Sequence, residues 1–179
     1  MGEAGIICDD ERVELIRGQV VTVSPTGNWH AASVQRLSRL LHDQLESPIQ
    51  VAIQNAINMA GDTQVEPDVA VLRPGFDVWE SGLRGEDCLL IIEVAQSSLE
   101  SDRSTKLRLY AEEAIPEYWV VDLEGRRVER YRKPSEARFM KTEVWASGDV
   151  CRCEALESVM IPVAEIVPPA DQPTSGSRA

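Results

Sequence analysis

One short run, Leu89-Leu90-Ile91-Ile92-Glu93-Val94, limits what this chain can fold into. It is the most apolar stretch of the sequence, and a short run of this kind reads as a central strand buried on both faces. Glu93 is the anomaly within it. A carboxylate buried without a partner costs several kcal/mol (order of magnitude), so Glu93 must be paired, protonated or bound to a metal.

A polar segment, Glu100-Ser-Asp-Arg-Ser-Thr-Lys-Leu-Arg-Leu-Tyr110, follows directly. Ser101 or Asp102 caps a helix predicted to run to about Ala114, with Leu107, Ala111 and Ala114 on one stripe. Asp102, Lys106 and Tyr110 share a second face at i, i+4 and i+8. That face either carries a solvated i,i+4 ion pair or lies back over the end of the Glu93 strand.

Upstream, Val65-Glu-Pro-Asp-Val-Ala-Val-Leu72 reads as a short apolar strand entered at Asp68, just after Pro67. Arg12 to Val23 reads as a hairpin with Arg17-Gly18 at its turn. Glu14 shares a strand face with Ile16, so it either reaches solvent from an edge strand or has a partner. Asn28 is the expected N-cap of an amphipathic helix from Trp29 to Leu45, in which Val34, Leu37, Leu41 and Leu45 recur at helical spacing. His30, in its first turn, can reach a site near the hairpin, whereas His42 belongs to its exposed border. Pro48 ends that helix, and Ile49 to Ile57 continues as a strand. A polar loop from Met59 to Gln64 comes next. A longer loop, Arg73 to Asp87, has Trp79 as its large anchor, and loops of that length are often functional. Strand patterns at Glu117–Asp122 and from Arg126 form a second hairpin about Glu124-Gly125. A further strand at Phe139–Trp145 and a run to Val167 close a single domain over residues 1–167. The tail, residues 168–179, has no apolar residue larger than alanine or proline and is expected to be disordered.

Chain length, 179 residues, suits one α/β domain. There is no run of about 18 apolar residues to span a bilayer. The N-terminal stretch lacks a basic region followed by an apolar one, which with four cysteines in no zinc-binding pattern points to a cytoplasmic protein with reduced thiols. Eighteen Lys and Arg against thirty Asp and Glu give a net charge of −12. That balance argues against a large non-specific grip on nucleic acid, which depends on cationic contacts to phosphate. It leaves room for a local basic patch or a metal–carboxylate site.

In a mixed sheet the start of the Asp68 strand and the end of the Glu93 strand come close together. Two carboxylates so placed can share Mg²⁺ or Mn²⁺, and a lysine beside them can hold a phosphate oxygen or an attacking water.

The runs Glu11-Arg-Val-Glu-Leu-Ile-Arg-Gly18, Glu66-Pro-Asp-Val-Ala-Val-Leu-Arg-Pro74 and Leu89 through Arg132 resemble the Uma-type restriction endonuclease family of the PD-(D/E)XK nuclease superfamily. The resemblance covers roughly Asp9 to Val167. It implies a restriction-endonuclease-like α/β fold, a mixed β-sheet flanked by helices with β-hairpins near both ends, and Mg²⁺-dependent (or Mn²⁺-dependent) phosphodiester hydrolysis. Asp68 matches the superfamily's aspartate and Glu93 its second acid. The superfamily's lysine stands two residues beyond that acid, where this chain has Ala95, and Lys106 on the next helix answers to it. Glu14 and His30 also match family positions. The resemblance therefore implies Asp68, Glu93, Lys106 and Glu14 as catalytic residues, Asp68 and Glu93 as metal ligands, and His30, Asp102 and Tyr110 in support. DNA is the implied substrate. Superfamily members that cut both strands often dimerise, so a homodimer is a further expectation. Two other readings stand beside this one: a catalytically idle nuclease fold serving as a binding or assembly module, and a metal-dependent hydrolase of a smaller phosphoester.

Overall fold

A computed structural model describes residues 13–23, 27–75 and 82–171. Trp79, Cys8 and the expected disordered residues 172–179 lie outside the described residues, and so does Arg12. Pro168, at the start of the expected tail, is buried, and with Pro169 it lines a cavity of about 230 Å³ against Trp29, Ser33 and Arg36.

The most apolar run forms β7 (Cys88–Ala95), and it lies inside a six-stranded sheet as its composition demands. Its neighbours are β6 (Val69–Leu72), antiparallel, and β8 (Glu117–Asp122), parallel. Beyond β6 lies β3 (Gln50–Ile53). Beyond β8 come the long strands β9 (Arg127–Ser135) and β10 (Arg138–Ala146). The sheet order is thus β10-β9-β8-β7-β6-β3.

Side chains alternate across β7. Leu90, Ile92 and Val94 enter one core with Val34, Leu37 and Leu41 of helix α1 (Asn28–Gln44). Ile91 and Ala95 enter the other with Leu109 and Tyr110 of helix α3 (Leu107–Glu112). Glu93 has the parity of Ile91 and Ala95, so its carboxylate belongs to the α3 side. A second, four-stranded sheet, ordered β2-β1-β5-β4, contributes Ile57 and Val65 to the same core. It comprises β1 (Val13–Ile16), β2 (Gln19–Thr22), β4 (Ile57–Met59) and β5 (Thr63–Val65). A two-stranded ribbon of β11 (Val150–Arg152) and β12 (Met160–Pro162) with the short helix α4 (Val163–Ile166) closes over the α1 side.

Four local expectations are corrected. The strand expected from Ile49 to Ile57 is two strands, β3 and β4, because Gln54 turns left-handed at φ 50°. The polar loop expected from Met59 to Gln64 is largely a hairpin, with Gly61 (φ 68°) and Asp62 (φ 51°) in the turn. Helix α1 is capped by Gly27, not Asn28, which is already inside it. A Cβ at position 27 would come within 2.6 Å of the Gln96 side chain, so glycine is what permits this close approach.

The fourth correction falls on the helix after Glu93. It starts at Leu99, as α2 (Leu99–Ser101), and widens into a π-helical segment, Asp102–Lys106, before α3 resumes the α form. The Tyr118 hydroxyl donates to the Asp102 carbonyl at 3.1 Å, supplying a donor at the widened turn. Single π turns of this kind occur frequently at functional sites, and here the turn holds Lys106.

Candidate active site

The antiparallel register of β6 and β7 pairs Val69 with Ile92. One step further along that register, Asp68 comes opposite Glu93. The start of one strand and the end of its neighbour therefore bring the two carboxylates together.

Asp68 is fixed from three directions. His30 Nε2 lies 2.9 Å from Oδ2, the Val94 amide donates to the same oxygen at 2.9 Å, and Gln54 Nε2 donates to Oδ1 at 3.2 Å. Burial works to raise the Asp68 pKa, but His30 and these donors outweigh it and hold the carboxyl below its ordinary range. Asp68 is ionised in the folded chain.

Glu93 is 3 % exposed and accepts from Lys106 Nζ at 3.0 Å and from the Tyr110 hydroxyl at 2.6 Å, both on Oε1. Burial pushes its carboxyl up to about 8, against the pull of the Lys106 ammonium and with help from the Asp68 and Asp102 charges. Two neighbouring carboxylates, one held down and one pushed up, are a pattern found at sites built for chemistry.

Lys106 is 7 % exposed and also lies 3.0 Å from Glu14 Oε1. Burial disfavours its ammonium, yet Glu93, Glu14 and Asp102 together raise its pKa above the ordinary lysine value. Glu14, 4 % exposed, does not reach solvent: its Oε1 also accepts from the Glu66 amide at 3.1 Å. Asp102 takes a 2.6 Å hydrogen bond from Ser98 Oγ on Oδ2, while its Oδ1 is buried with no hydrogen-bond partner. Burial raises the Asp102 pKa, opposed by Lys106 and Ser98.

All seven residues singled out from the sequence are buried. Glu14 and Glu93 flank the Lys106 ammonium and Tyr110 bonds Glu93, Asp102 is bonded to Ser98, and Asp68 and His30 pair at the strand start. The expected i, i+4, i+8 face of Asp102, Lys106 and Tyr110 is turned inward rather than to solvent. Gln54, Ser98 and Gln96 were missed. Gln54 anchors Asp68 from a left-handed turn, which leaves no periodic signal. Ser98 was recognisable as a residue that caps a helix start, although its hydroxyl bonds a side chain instead. Gln96 packs against Gly27 with its Oε1 buried and without a hydrogen-bond partner.

Among the described residues no group of three or more His, Cys, Asp or Glu side chains converges on one metal position. Two carboxylates remain as candidate ligands. That is a fitting donor set for Mg²⁺, which usually keeps several waters and takes one or two protein carboxylates. The oxygens least engaged by the protein suit the same role. Asp68 Oδ1 accepts one long hydrogen bond, and Glu93 Oε2 receives neither of the bonds that converge on Oε1.

The mixed sheet with helices on its faces is the restriction-endonuclease-like fold. The chain matches the Uma2 family, "Putative restriction endonuclease", over residues 5–164, and it belongs to that family. Among solved structures it is similar to a "putative nuclease belonging to DUF820 from Anabaena variabilis ATCC 29413". The TM-score is 0.71 at 14% identity, covering 92% of this chain and 94% of that one. No curated protein matches. Among the described residues, no helix is long and apolar enough to cross a membrane.

Proposed function

We propose that this chain is a metal-dependent endonuclease that hydrolyses DNA phosphodiester bonds at the Asp68–Glu93–Lys106 cluster. One observation carries the reading. A lysine delivered by a helix is buried between Glu93 and Glu14, beside the point where Asp68 comes opposite Glu93. Family membership and the nuclease-like fold support it.

On this reading Asp68 and Glu93 hold Mg²⁺ or Mn²⁺. The bound cation would act as a Lewis acid on the phosphate and lower the pKa of a water. The remaining work belongs to side chains. Hydrolysis forms one O–P bond from water, which gives up a proton, and breaks one P–O ester bond, whose leaving oxygen takes one up, while negative charge builds on the phosphate oxygens on the way. Lys106 is placed to offset that charge or to orient the water, as a preorganised cation in a site of low dielectric. Tyr110 and Lys106 fix Glu93 by its Oε1. His30, Gln54 and the Val94 amide fix Asp68. Glu14 completes the charge balance of the ammonium. A cytoplasmic location suits the buried, unpaired thiols of Cys88, Cys151 and Cys153.

The experiment is cleavage of supercoiled plasmid with Mg²⁺ or Mn²⁺, with Asp68→Asn and Glu93→Gln as controls and Mn²⁺ binding measured in parallel. A second reading has its own observation. The site carboxylates are engaged by the chain's own donors, which suits an idle nuclease fold used for binding or assembly. Mn²⁺ binding without cleavage of plasmid or of a small phosphodiester would favour that alternative. Cleavage of the small ester alone would favour a hydrolase of smaller phosphoesters, which a chain of net charge −12 suits better than duplex DNA.

A further inference from the structure

Gln54 is exposed and has a left-handed backbone (φ 50°), yet it turns its side chain back onto a buried carboxylate. Residues other than glycine seldom adopt that conformation, and where they hold it the surrounding structure enforces it. Here the sheet does so. Strands β3 and β6 pair Ile53 with Val69, and the Gln54 backbone N–H donates to the Asp68 carbonyl at 3.2 Å. Backbone and side chain of Gln54 thus both end on Asp68.

As a hydrogen bond alone the side-chain contact adds little. Asp68 Oδ2 already meets His30 Nε2 and the Val94 amide, each at 2.9 Å, and these fix the carboxylate. Gln54 Nε2 lies 3.2 Å from Oδ1, long for a bond to an ionised acceptor, which ordinarily shortens to about 2.7–2.9 Å. What distinguishes Gln54 is its place, at the Asp68 oxygen least engaged by the protein. A primary amide carries an acceptor beside its donor, and its last torsion is broad and roughly two-fold. Rotation there exchanges the two ends in place. Amide carbonyls are suitable ligands for hard divalent cations. Among the described residues no set of three His, Cys, Asp or Glu converges on a metal position. An amide oxygen supplies a third donor without adding charge to a site that already holds Asp68, Glu93 and Glu14.

We infer that Gln54 is a third protein ligand of the cation: its amide turns over, and Oε1 faces the ion where Nε2 now donates to Asp68. The inference rests on the reading of Asp68 and Glu93 as ligands of Mg²⁺ or Mn²⁺, and not on cleavage. The alternative is a positioning residue that keeps its N–H on Asp68 while the other lone pair of Oδ1 takes the cation. The two place the amide carbon differently. A ligand oxygen about 2.0–2.1 Å from the ion, with a C=O bond of about 1.23 Å, brings Cδ to roughly 3 Å. An amide hydrogen-bonded to Asp68 keeps Cδ a full hydrogen bond further away.

Full-length protein labelled with ¹³C at the glutamine side-chain carbonyl, loaded with Mn²⁺, gives the test. Pulsed electron–nuclear double resonance reads a coupling that falls with the cube of the distance. The expected result is a strongly coupled ¹³C in the natural protein that is lost in Gln54→Met. Mn²⁺ titration accompanies it. Gln54→Met keeps the length of the side chain and loses both amide ends, so it should bind about tenfold or more weakly. Gln54→Glu keeps an oxygen ligand and cannot donate, and it should bind at least as tightly as the natural protein. Bound Mn²⁺ with no strongly coupled ¹³C, or with a coupling that Gln54→Met retains, overturns the inference and leaves the carboxylate site standing. So does Gln54→Glu binding as weakly as Gln54→Met. Natural protein that takes up no Mn²⁺ overturns the metal reading itself, and the inference with it. The ¹³C signal is read on the natural protein, so a variant that fails to fold does not remove the test.

Discussion

The ammonium of Lys106 lies 3.0 Å from the carboxylate of Glu93, although the two residues stand on a helix and a strand thirteen positions apart. Position 95, two residues beyond the acid, is Ala95, 1 % exposed and part of the core that holds Tyr110 and Tyr118. A lysine there would overfill that core. The π turn brings the charge in from the helix instead, and a lysine's flexible stem makes the exchange workable.

Replacing Lys106 by alanine is therefore expected to do two things. Cleavage should fall about 100-fold or more, the scale of removing one preorganised electrostatic group. Unlike a surface i,i+4 pair, the lysine is buried between two carboxylates, so stability should fall too. About 1–3 kcal/mol is expected, less than a fully stranded buried charge would cost, because Glu93 can take up a proton. Plasmid cleavage and thermal unfolding measure the two effects. Near wild-type cleavage by Lys106→Ala would remove the lysine from the mechanism.

His30→Ala tests the support of Asp68. A side chain that orients a metal carboxylate typically contributes 10–100-fold to affinity or rate, and His30 lies 2.9 Å from Asp68 Oδ2. Mn²⁺ affinity and cleavage should each drop by that order without vanishing. Complete loss would give His30 a direct part in the reaction, and no loss would leave it structural.

How much of this was legible beforehand follows from where each signal resides. Glu93 announced itself because a charge inside an apolar run has few physical explanations. Asp68 and Lys106 followed from a strand start and a helical spacing. The partner of Glu14 could not be read from its own strand, because it depends on how the four-stranded sheet docks over α3, a long-range event. Gln54 and the π turn were illegible for a related reason. A left-handed residue between two strands and one widened helical turn each break the periodicity by which elements are recognised. The split of β3 from β4 was missed with them.

Cysteine reactivity should report burial. Cys88, Cys151 and Cys153 are buried, and burial pushes each thiol up to about 12. In a Cys8→Ser background the native protein should give no fast reaction with a thiol reagent at neutral pH, and three thiols after denaturation. A fast-reacting thiol in the native protein would show that one of these three opens readily.

Asp68→Asn and Glu93→Gln should both abolish metal-dependent cleavage, yet part company in stability. Asp68 has its folded pKa held below 3.8, so its ionised form adds stability that is present above about pH 4 and lost as pH falls through the folded value. Asparagine forfeits that contribution, and Asp68→Asn should melt several degrees lower at neutral pH. Glu93 has the opposite sign. Its pKa rises from 4.5 to about 8 on folding. Between those values the unfolded chain releases the proton while the folded chain keeps it, so the favourable contribution present below pH 4.5 declines as pH rises toward 8. Glutamine cannot ionise and escapes that loss. With metal chelated, Glu93→Gln should therefore gain stability relative to the natural protein from about pH 4.5 to 8 and level off above. Unfolding by urea across that range, for both variants and the natural protein, gives the comparison. A Glu93→Gln difference that is flat with pH would show that the carboxylate is ionised throughout, held so by Lys106.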